Sequence, residues 1–243
     1  MTDPAEQAGH ADRFAELSQS LQALRARIAA ACAAAGRDSG EVTLIAVTKT
    51  FPASDIQLLA ALGIADVGEN RDQEAAPKAA QCAALGLRMS WHFVGQLQVN
   101  KCASVVSYAD VVHSVDRMRL VSALGSRARA AGRTLRCLIQ VSLDAAPGRG
   151  GVPTSGVLTL AGAVAAQDGL ELGGVMAVAP PGESPAPAFR RLRGIADAVR
   201  AEHPGALMIS AGMSGDLDEA IAEGATHVRV GTALLGGRPA FVR

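Results

Sequence analysis

An excess of charge of either sign is missing from this chain: Lys and Arg together number 23, Asp and Glu also 23. Without a global field to attract nucleic acid or an anionic membrane, any anionic ligand has to be caught by a local arrangement of groups. Paired cysteines are missing too. Cys32, Cys82, Cys102 and Cys137 are widely spaced with no Cys-x-x-Cys pattern, which argues against a zinc site or a disulfide framework and leaves reduced thiols. No apolar stretch approaches the roughly 20 residues of a membrane span. Residues 1–12 are polar, include Asp3 and Glu6 and lack an apolar core, so neither a secretory signal nor a transit peptide is read there, and a cytoplasmic protein is expected. What is present is apolar surface to bury. With 49% hydrophobic residues in 243 and a mean hydropathy of +0.21, the chain can build a large core without staples.

Phe14, Leu17, Leu21, Leu24 and Ile28 recur at alternating steps of three and four, which predicts an amphipathic helix over 13–35, stopped by Gly36. Short strand-like runs follow at 42–48, 65–69, 91–95, 111–115, 136–143, 173–178, 206–211 and 227–231. Helical segments lie between them at 55–62, 72–85, 117–131, 158–166, 188–202 and 217–223. Alternation of this kind demands a parallel sheet with helical crossovers. Eight repeats in about 200 residues favour a closed (β/α)8 barrel over an open doubly wound sheet. The expected organisation is a polar tail at 1–12 and a single barrel domain at 13–243, with the first helix covering an otherwise open part of the barrel. Two glycine- and proline-rich stretches, 144–153 and 179–187, follow strands and are expected as long loops on the C-terminal face, where binding and chemistry concentrate.

Polar residues at the strand ends are then the candidates for a site. Lys49 closes the apolar, β-branched run 42–48, where an amine held partly out of water loses proton affinity and can attack a carbonyl; the alternative is a lysine that snorkels or pairs with a carboxylate. Strand two ends at Glu69 and Asn70, strand three passes His92 and Gly95, and strand four passes His113. The loops after strands seven and eight carry Gly212, Ser214, Gly231 and Thr232, whose small residues and hydroxyls suit a phosphate. Ser214 can equally serve as N-cap of the helix beginning near Asp216. Arg229 shares a strand face with Gly231 and needs an acceptor inside the barrel. A lysine, a phosphate cradle and a cation between them match pyridoxal 5′-phosphate, whose aldehyde, phosphate and pyridine nitrogen call for those three groups.

The segments Ala46-Val-Thr-Lys-Thr50, Gly68-Glu-Asn-Arg-Asp-Gln-Glu74, Trp91-His-Phe-Val-Gly-Gln-Leu-Gln-Val-Asn-Lys101, Ser114-Val-Asp-Arg117, Gly174-Val-Met-Ala177, Gly212-Met-Ser-Gly-Asp216 and Val228-Arg-Val-Gly-Thr-Ala-Leu-Leu-Gly236 resemble the pyridoxal-phosphate homeostasis protein family, relatives of the N-terminal barrel of alanine racemase. The resemblance covers the chain from about residue 13 onward. It implies that Lys49 carries the cofactor as a Schiff base, that Asn70 lies beside the ring, and that Gly212, Met213, Ser214, Gly231 and Thr232 hold the phosphate. It also implies that Arg229 faces the pyridine nitrogen, where a permanent cation disfavours protonating the ring and weakens it as an electron sink. Ala211 departs from the family's usual methionine, and the loop at 147–152 is richer in glycine than the family pattern. His92 reads as a satisfied core histidine. Asn100 and Lys101, in the segment 95–101, read as the start of a helix or as a surface for cofactor transfer.

Three functions are open at this point. The resemblance implies a carrier that buffers pyridoxal 5′-phosphate or delivers it to apoenzymes without catalytic turnover, with no catalytic residue and no metal. A pyridoxal-phosphate-dependent amino-acid racemase is the alternative; it needs acid–base groups on both faces of a carbanion, and the tyrosine that supplies the second in alanine racemase has no evident counterpart, since the only tyrosine, Tyr108, falls between strands three and four. A barrel for another phosphorylated metabolite is the third. With no apolar strand edge exposed in a closed barrel, a monomer is expected.

Overall fold

The structure is a computed structural model, and it describes residues 4–144 and 149–237. Eight parallel strands form the ring: β1 (Thr43–Val47), β2 (Asp66–Glu69), β3 (Ser90–Phe93), β4 (Val111–Val115), β5 (Leu135–Ser142), β6 (Leu170–Met176), β7 (Met208–Ser210) and β8 (His227–Val230). Each pairs with the next, for instance Val67 with Trp91, and Leu44 of β1 aligns with Val228 of β8 so that the ring closes. The (β/α)8 barrel read from the alternation is the architecture observed. A two-residue strand, Val152–Pro153, adds to the end of β5 outside the ring.

The helices are α1 (Pro4–Ala34), α2 (Ala53–Ala61), α3 (Asp72–Ala84), α4 (Cys102–Tyr108), α5 (Met118–Ala130), α6 (Val157–Ala165), α7 (Pro185–Glu202), α8 (Leu217–Ala222) and α9 (Thr232–Leu235). Alternation along each strand sends one set of side chains to the helices and the other into the ring. On β4, Val112 joins the large layer that includes Val105, Leu124 and Leu192, while Val111 meets Leu138 and Met176 in a small cluster of its own. The ring interior also takes the buried polar side chains of His92, His113, Ser210 and Arg229.

Helix α1 fills a gap that the fold creates. The helix after β8 is only four residues long, and Leu17, Leu21, Leu24 and Ile28 pack beside it against Leu58, Leu217, Ile221 and Leu234. The helix therefore completes the outer ring between α2 and α8. It also begins at Pro4, nine residues before the predicted start at 13. Residues 4–12 expose no apolar stripe to read, yet they are rich in good helix formers and open on a proline suited to a first helical turn. Of the expected tail at 1–12, residues 1–3 lie outside the described residues and the rest belongs to this helix.

The two stretches expected as long loops follow β5 and β6. Of the stretch 144–153, residues 145–148 lie outside the described residues, and with them part of the glycine-rich segment 147–152. In the stretch 179–187, Pro185 starts α7, so the proline marks a helix start and the loop ends at Ser184. Among the described residues no helix is long and apolar enough to cross a membrane.

Candidate functional site

At the C-terminal mouth of the barrel lies a cavity of about 350 Å³. Its wall brings together Lys49, Asn70, Met213, Ser214, Arg229, Gly231 and Thr232, with Val47, Val94, Met176 and Val178 supplying the apolar side. Seven of the eight residues selected from the sequence therefore line one space. The eighth, Gly212, stands at the base of the loop that carries Met213 and Ser214. Its φ of 88° and the 2.7 Å between a hypothetical Cβ and the Ala220 methyl leave room only for glycine there.

Lys49 is presented by a corner fixed from behind. Thr48 turns away from the ring and its hydroxyl donates to Glu69 Oε1 at 2.6 Å, while Lys78 Nζ of α3 donates to both Glu69 Oε1 (2.6 Å) and the Thr48 carbonyl (2.9 Å). All three residues are buried. Burial pushes the Glu69 carboxyl above its usual range, against the pull of Lys78 and Thr48. The next corner residue, Thr50, has φ of 70°, a left-handed conformation that a β-branched residue adopts only under strain, and its N–H donates to Glu74 Oε2 at 3.1 Å. Alternation from Thr48 leaves Lys49 half-buried and facing the cavity, where it forms no ion pair with any described carboxylate.

Asn70 sits opposite on the rim of β2, and its backbone is clamped by the next loop. A Cβ on Gly95 would stand 2.0 Å from the Asn70 carbonyl oxygen, so only glycine permits that approach. This makes Gly95 a structural part of the site wall. The segment after it forms a turn at Val99–Lys101 that leads into α4, and Lys101 reaches Asp72 at 3.7 Å. Asn100 and Lys101 thus stand at a helix start, one of the two roles read for them.

The loops after β7 and β8 meet. The Ser214 hydroxyl accepts the Ala233 N–H at 3.3 Å, tying the two loops together. The N-cap position of α8 belongs to Asp216, whose carboxylate accepts the Met213 N–H at 2.6 Å. Ser214 is therefore not that helix's cap. Among the described residues the backbone N–H groups of Ser214, Gly215 and Gly231 have no acceptor, and Gly231 packs close enough for a Cβ to stand 3.2 Å from the Val47 carbonyl. Free donors gathered on one loop pair are what an anion requires. Ala211, just before the loop, is buried in the main core and contributes no polar group.

Arg229 enters the cavity from below. Its guanidinium donates to Ser210 Oγ (2.6 Å) and to the Ala177 carbonyl (3.1 Å), and no described carboxylate pairs with it. Burial pushes its pKa down to about 10, partly offset by Asp216. His92 and His113, read from the sequence among strand residues converging on the mouth, turn instead into the ring beneath it. His92 is the satisfied core histidine expected, 2% exposed and hydrogen-bonded through both ring nitrogens. The supports that sequence reasoning missed are Lys78 and Thr48; Glu69 was visible as a polar strand end, but its pairing with Lys78 depends on how α3 folds back. Tyr108 lies on α4 with its hydroxyl buried, against Trp91, and does not line the cavity.

Comparison with known proteins agrees with this fold. The family described as alanine racemase, N-terminal domain, matches residues 19–239. A protein of Mycobacterium tuberculosis named pyridoxal phosphate homeostasis protein is 44% identical over 96% of this chain and 97% of its own length. The structure of PipY from Synechococcus elongatus PCC7942 with pyridoxal phosphate bound superposes with a TM-score of 0.79 at 32% identity, over 90% of this chain and all of PipY. Alanine racemase from Streptomyces coelicolor shares the fold alone: TM-score 0.72, 21% identity, with this chain covering 58% of the racemase. The chain belongs to the alanine racemase N-terminal domain family and, within it, to the pyridoxal phosphate homeostasis proteins.

Proposed function

We propose that this protein binds pyridoxal 5′-phosphate reversibly at the barrel mouth and buffers it or passes it to apoenzymes, as a monomer in the cytoplasm and without catalytic turnover. The observation that carries the reading is the coincidence in one cavity, among the described residues, of an amine with no ion pair, a loop pair with free backbone donors, and a cation that no carboxylate pairs with. The parts fit the cofactor. Lys49 would hold its aldehyde through a covalent, reversible link, and the strained corner at Thr50 would keep that amine facing inward. Gly212, Met213, Ser214, Gly231 and Thr232 would hold the phosphate through backbone N–H groups and hydroxyls. Asn70 would lie against the ring and Arg229 would face its nitrogen. When bound, the cofactor supplies an electrophilic carbonyl and an electron-withdrawing ring.

Arg229 supports carriage over catalysis. A cation facing the ring nitrogen opposes its protonation, so the ring withdraws electrons less strongly. The second acid–base group of a racemase also lacks a candidate among the described lining residues, because Tyr108 is held elsewhere and His92 and His113 are sealed in the ring. The racemase alternative predicts enzymatic loss of optical activity from single amino-acid enantiomers, abolished by Lys49→Ala. The carrier reading predicts none. It further predicts that borohydride fixes pyridoxal 5′-phosphate to one residue, located as Lys49 by mass spectrometry, and that Lys49→Ala abolishes the adduct while the protein stays folded. A wild-type protein that remains colourless and unmodified with the cofactor would refute the reading and leave a barrel for another phosphorylated metabolite.

A further inference from the structure

Below the cavity, a single line of hydrogen bonds runs through the ring. Arg229 Nη1 meets Ser210 Oγ (2.6 Å), Ser210 Oγ meets His113 Nδ1 (2.9 Å), His113 Nε2 meets His92 Nδ1 (2.9 Å), and His92 Nε2 meets Asp66 Oδ1 (3.0 Å). Ser210 and His113 are fully buried, and His92 nearly so. Asp66, the first residue of β2, lines a second cavity at the N-terminal end of the barrel together with Arg25 and Ser39. The line thus joins the two ends of the barrel through its buried interior.

Its direction follows from its termini. A guanidinium only donates and a carboxylate only accepts, so every group between them must accept from the Arg229 side and donate toward Asp66. Ser210 takes the Arg229 N–H and gives its own proton to His113 Nδ1. Both imidazoles are then neutral and carry their proton on Nε2. The reverse tautomers would set the bare Nε2 of His92 against the Asp66 carboxylate. One added proton reverses the middle of the chain. His92 then donates on both sides, His113 Nδ1–H points at Ser210 Oγ, and the hydroxyl that accepts from Arg229 must turn its own proton away with no partner in the buried interior.

The other groups around the pair do not alter this. His227 of β8 stands 6.4 Å from His92, ring to ring, with its Nδ1 on Thr226 Oγ1. Ser90 Oγ contacts His92 Nε2 at 3.2 Å, and β1 brings no titratable group. Arg136 of β5 and Glu171 of β6 are exposed and pair with each other. Burial holds His113 and His227 neutral, with nearby cations adding to the effect, and the bond from His92 keeps Asp66 ionised against its own partial burial.

We propose that Asp66, His92, His113 and Ser210 are positioning residues: a one-way hydrogen-bond chain that aims the Arg229 guanidinium at the cavity and slackens when the histidine pair takes up a proton from the N-terminal end. The effect on cofactor rests on the function proposed above; the chain itself does not.

Two measurements test it. Ring ¹⁵N shifts of the cofactor-free wild type at about pH 7.5 are expected to show both His92 and His113 neutral with the proton on Nε2; an Nδ1–H tautomer or a charged ring at either overturns the chain. Affinity for pyridoxal 5′-phosphate is then compared between wild type and Ser210→Ala, with Ser210→Thr as the variant that keeps the hydroxyl. Their ratio cancels titration of the cofactor and of Lys49. It is expected to be about tenfold near pH 8 and to shrink towards one as the pH is lowered, with Ser210→Thr close to wild type. A ratio that does not change with pH overturns the coupling. Should Ser210→Ala fail to fold, Asp66→Ala at the N-terminal cavity, which removes the carboxylate that fixes the direction, gives the same comparison. Wild-type protein that binds no cofactor at any pH refutes the proposed function and the coupling with it, while the ring shifts still decide whether the chain exists.

Discussion

Lys49 depends on residues that never reach the cavity. Thr48, Glu69 and Lys78 form a buried knot behind the strand end, in which Lys78 supplies the only cation bonded to Glu69 among the described residues. Two charges taken out of water balance only while both are present, and removing one leaves the other buried without compensation. Lys78→Ala is therefore expected to cost about 3–5 kcal/mol, read as a lower urea midpoint with an unchanged slope. Lys78→Met, which keeps the volume but not the charge, should cost nearly as much. A loss no larger than for an exposed lysine would show that the knot is not what holds the corner. Glu69 already sits at a raised pKa through burial, so in either variant it is expected to take up a proton instead of remaining an unpaired anion.

Among the elements, α1 does more than cover the gap beside α9. Arg27 on its outer side donates to the Ser214 carbonyl at 2.7 Å and forks onto Asp218 of α8 at 2.6–3.1 Å. The ion pair is half exposed and worth little to stability, but the bond to Ser214 reaches the loop proposed to hold the phosphate. Arg27→Ala is expected to leave the melting temperature within a few degrees of wild type and to weaken pyridoxal 5′-phosphate binding several-fold, measured by equilibrium dialysis; unchanged affinity would mean that the loop needs no support from α1. Elements with strong periodicity were legible in the sequence: the eight strands fall within a few residues of their predicted places, and so do α2, α3, α5, α6 and α8. Helix α4 was not, because its seven residues include Val105 and Val106 and merge with the strand that follows. The lysine, the loop glycines and the hydroxyls could be picked out because strand ends in a barrel share one mouth. The Ser214 bond to Ala233, the clamp of Gly95 on Asn70 and the partners of His92 join residues distant in sequence, and nothing in local pattern announces them.

At the scale of the whole molecule, the closed ring has no free strand edge, which is the physical basis for proposing a monomer, and it has enclosed an unusual share of imidazole. That choice sets the pH response of folding. His227 is neutral in the folded state with its pKa pushed down to about 4 from 6.5 by burial, the proton repelled further by His92, and His113 is pushed down by full burial. As pH falls below about 6.5 the unfolded chain binds protons at these rings and the folded chain does not, so unfolding gains free energy until the folded pKa is reached. Stability should therefore fall between about pH 6.5 and about pH 4. Asp66, held below the usual carboxylate range mainly by its bond to His92 against the opposing cost of burial, adds its loss only under that window. Glu69 works in the opposite direction, because a raised folded pKa lets the native state take the proton first. If the buried rings dominate, urea midpoints measured across this range will decline steadily, and His227→Gln will flatten the decline by about one proton's worth of slope. A flat profile in the wild type would mean either that proton uptake by Glu69 offsets the cost of these rings or that the rings accept protons as readily in the fold as in water; His227→Gln separates the two, since it makes stability rise as pH falls in the first case and changes nothing in the second.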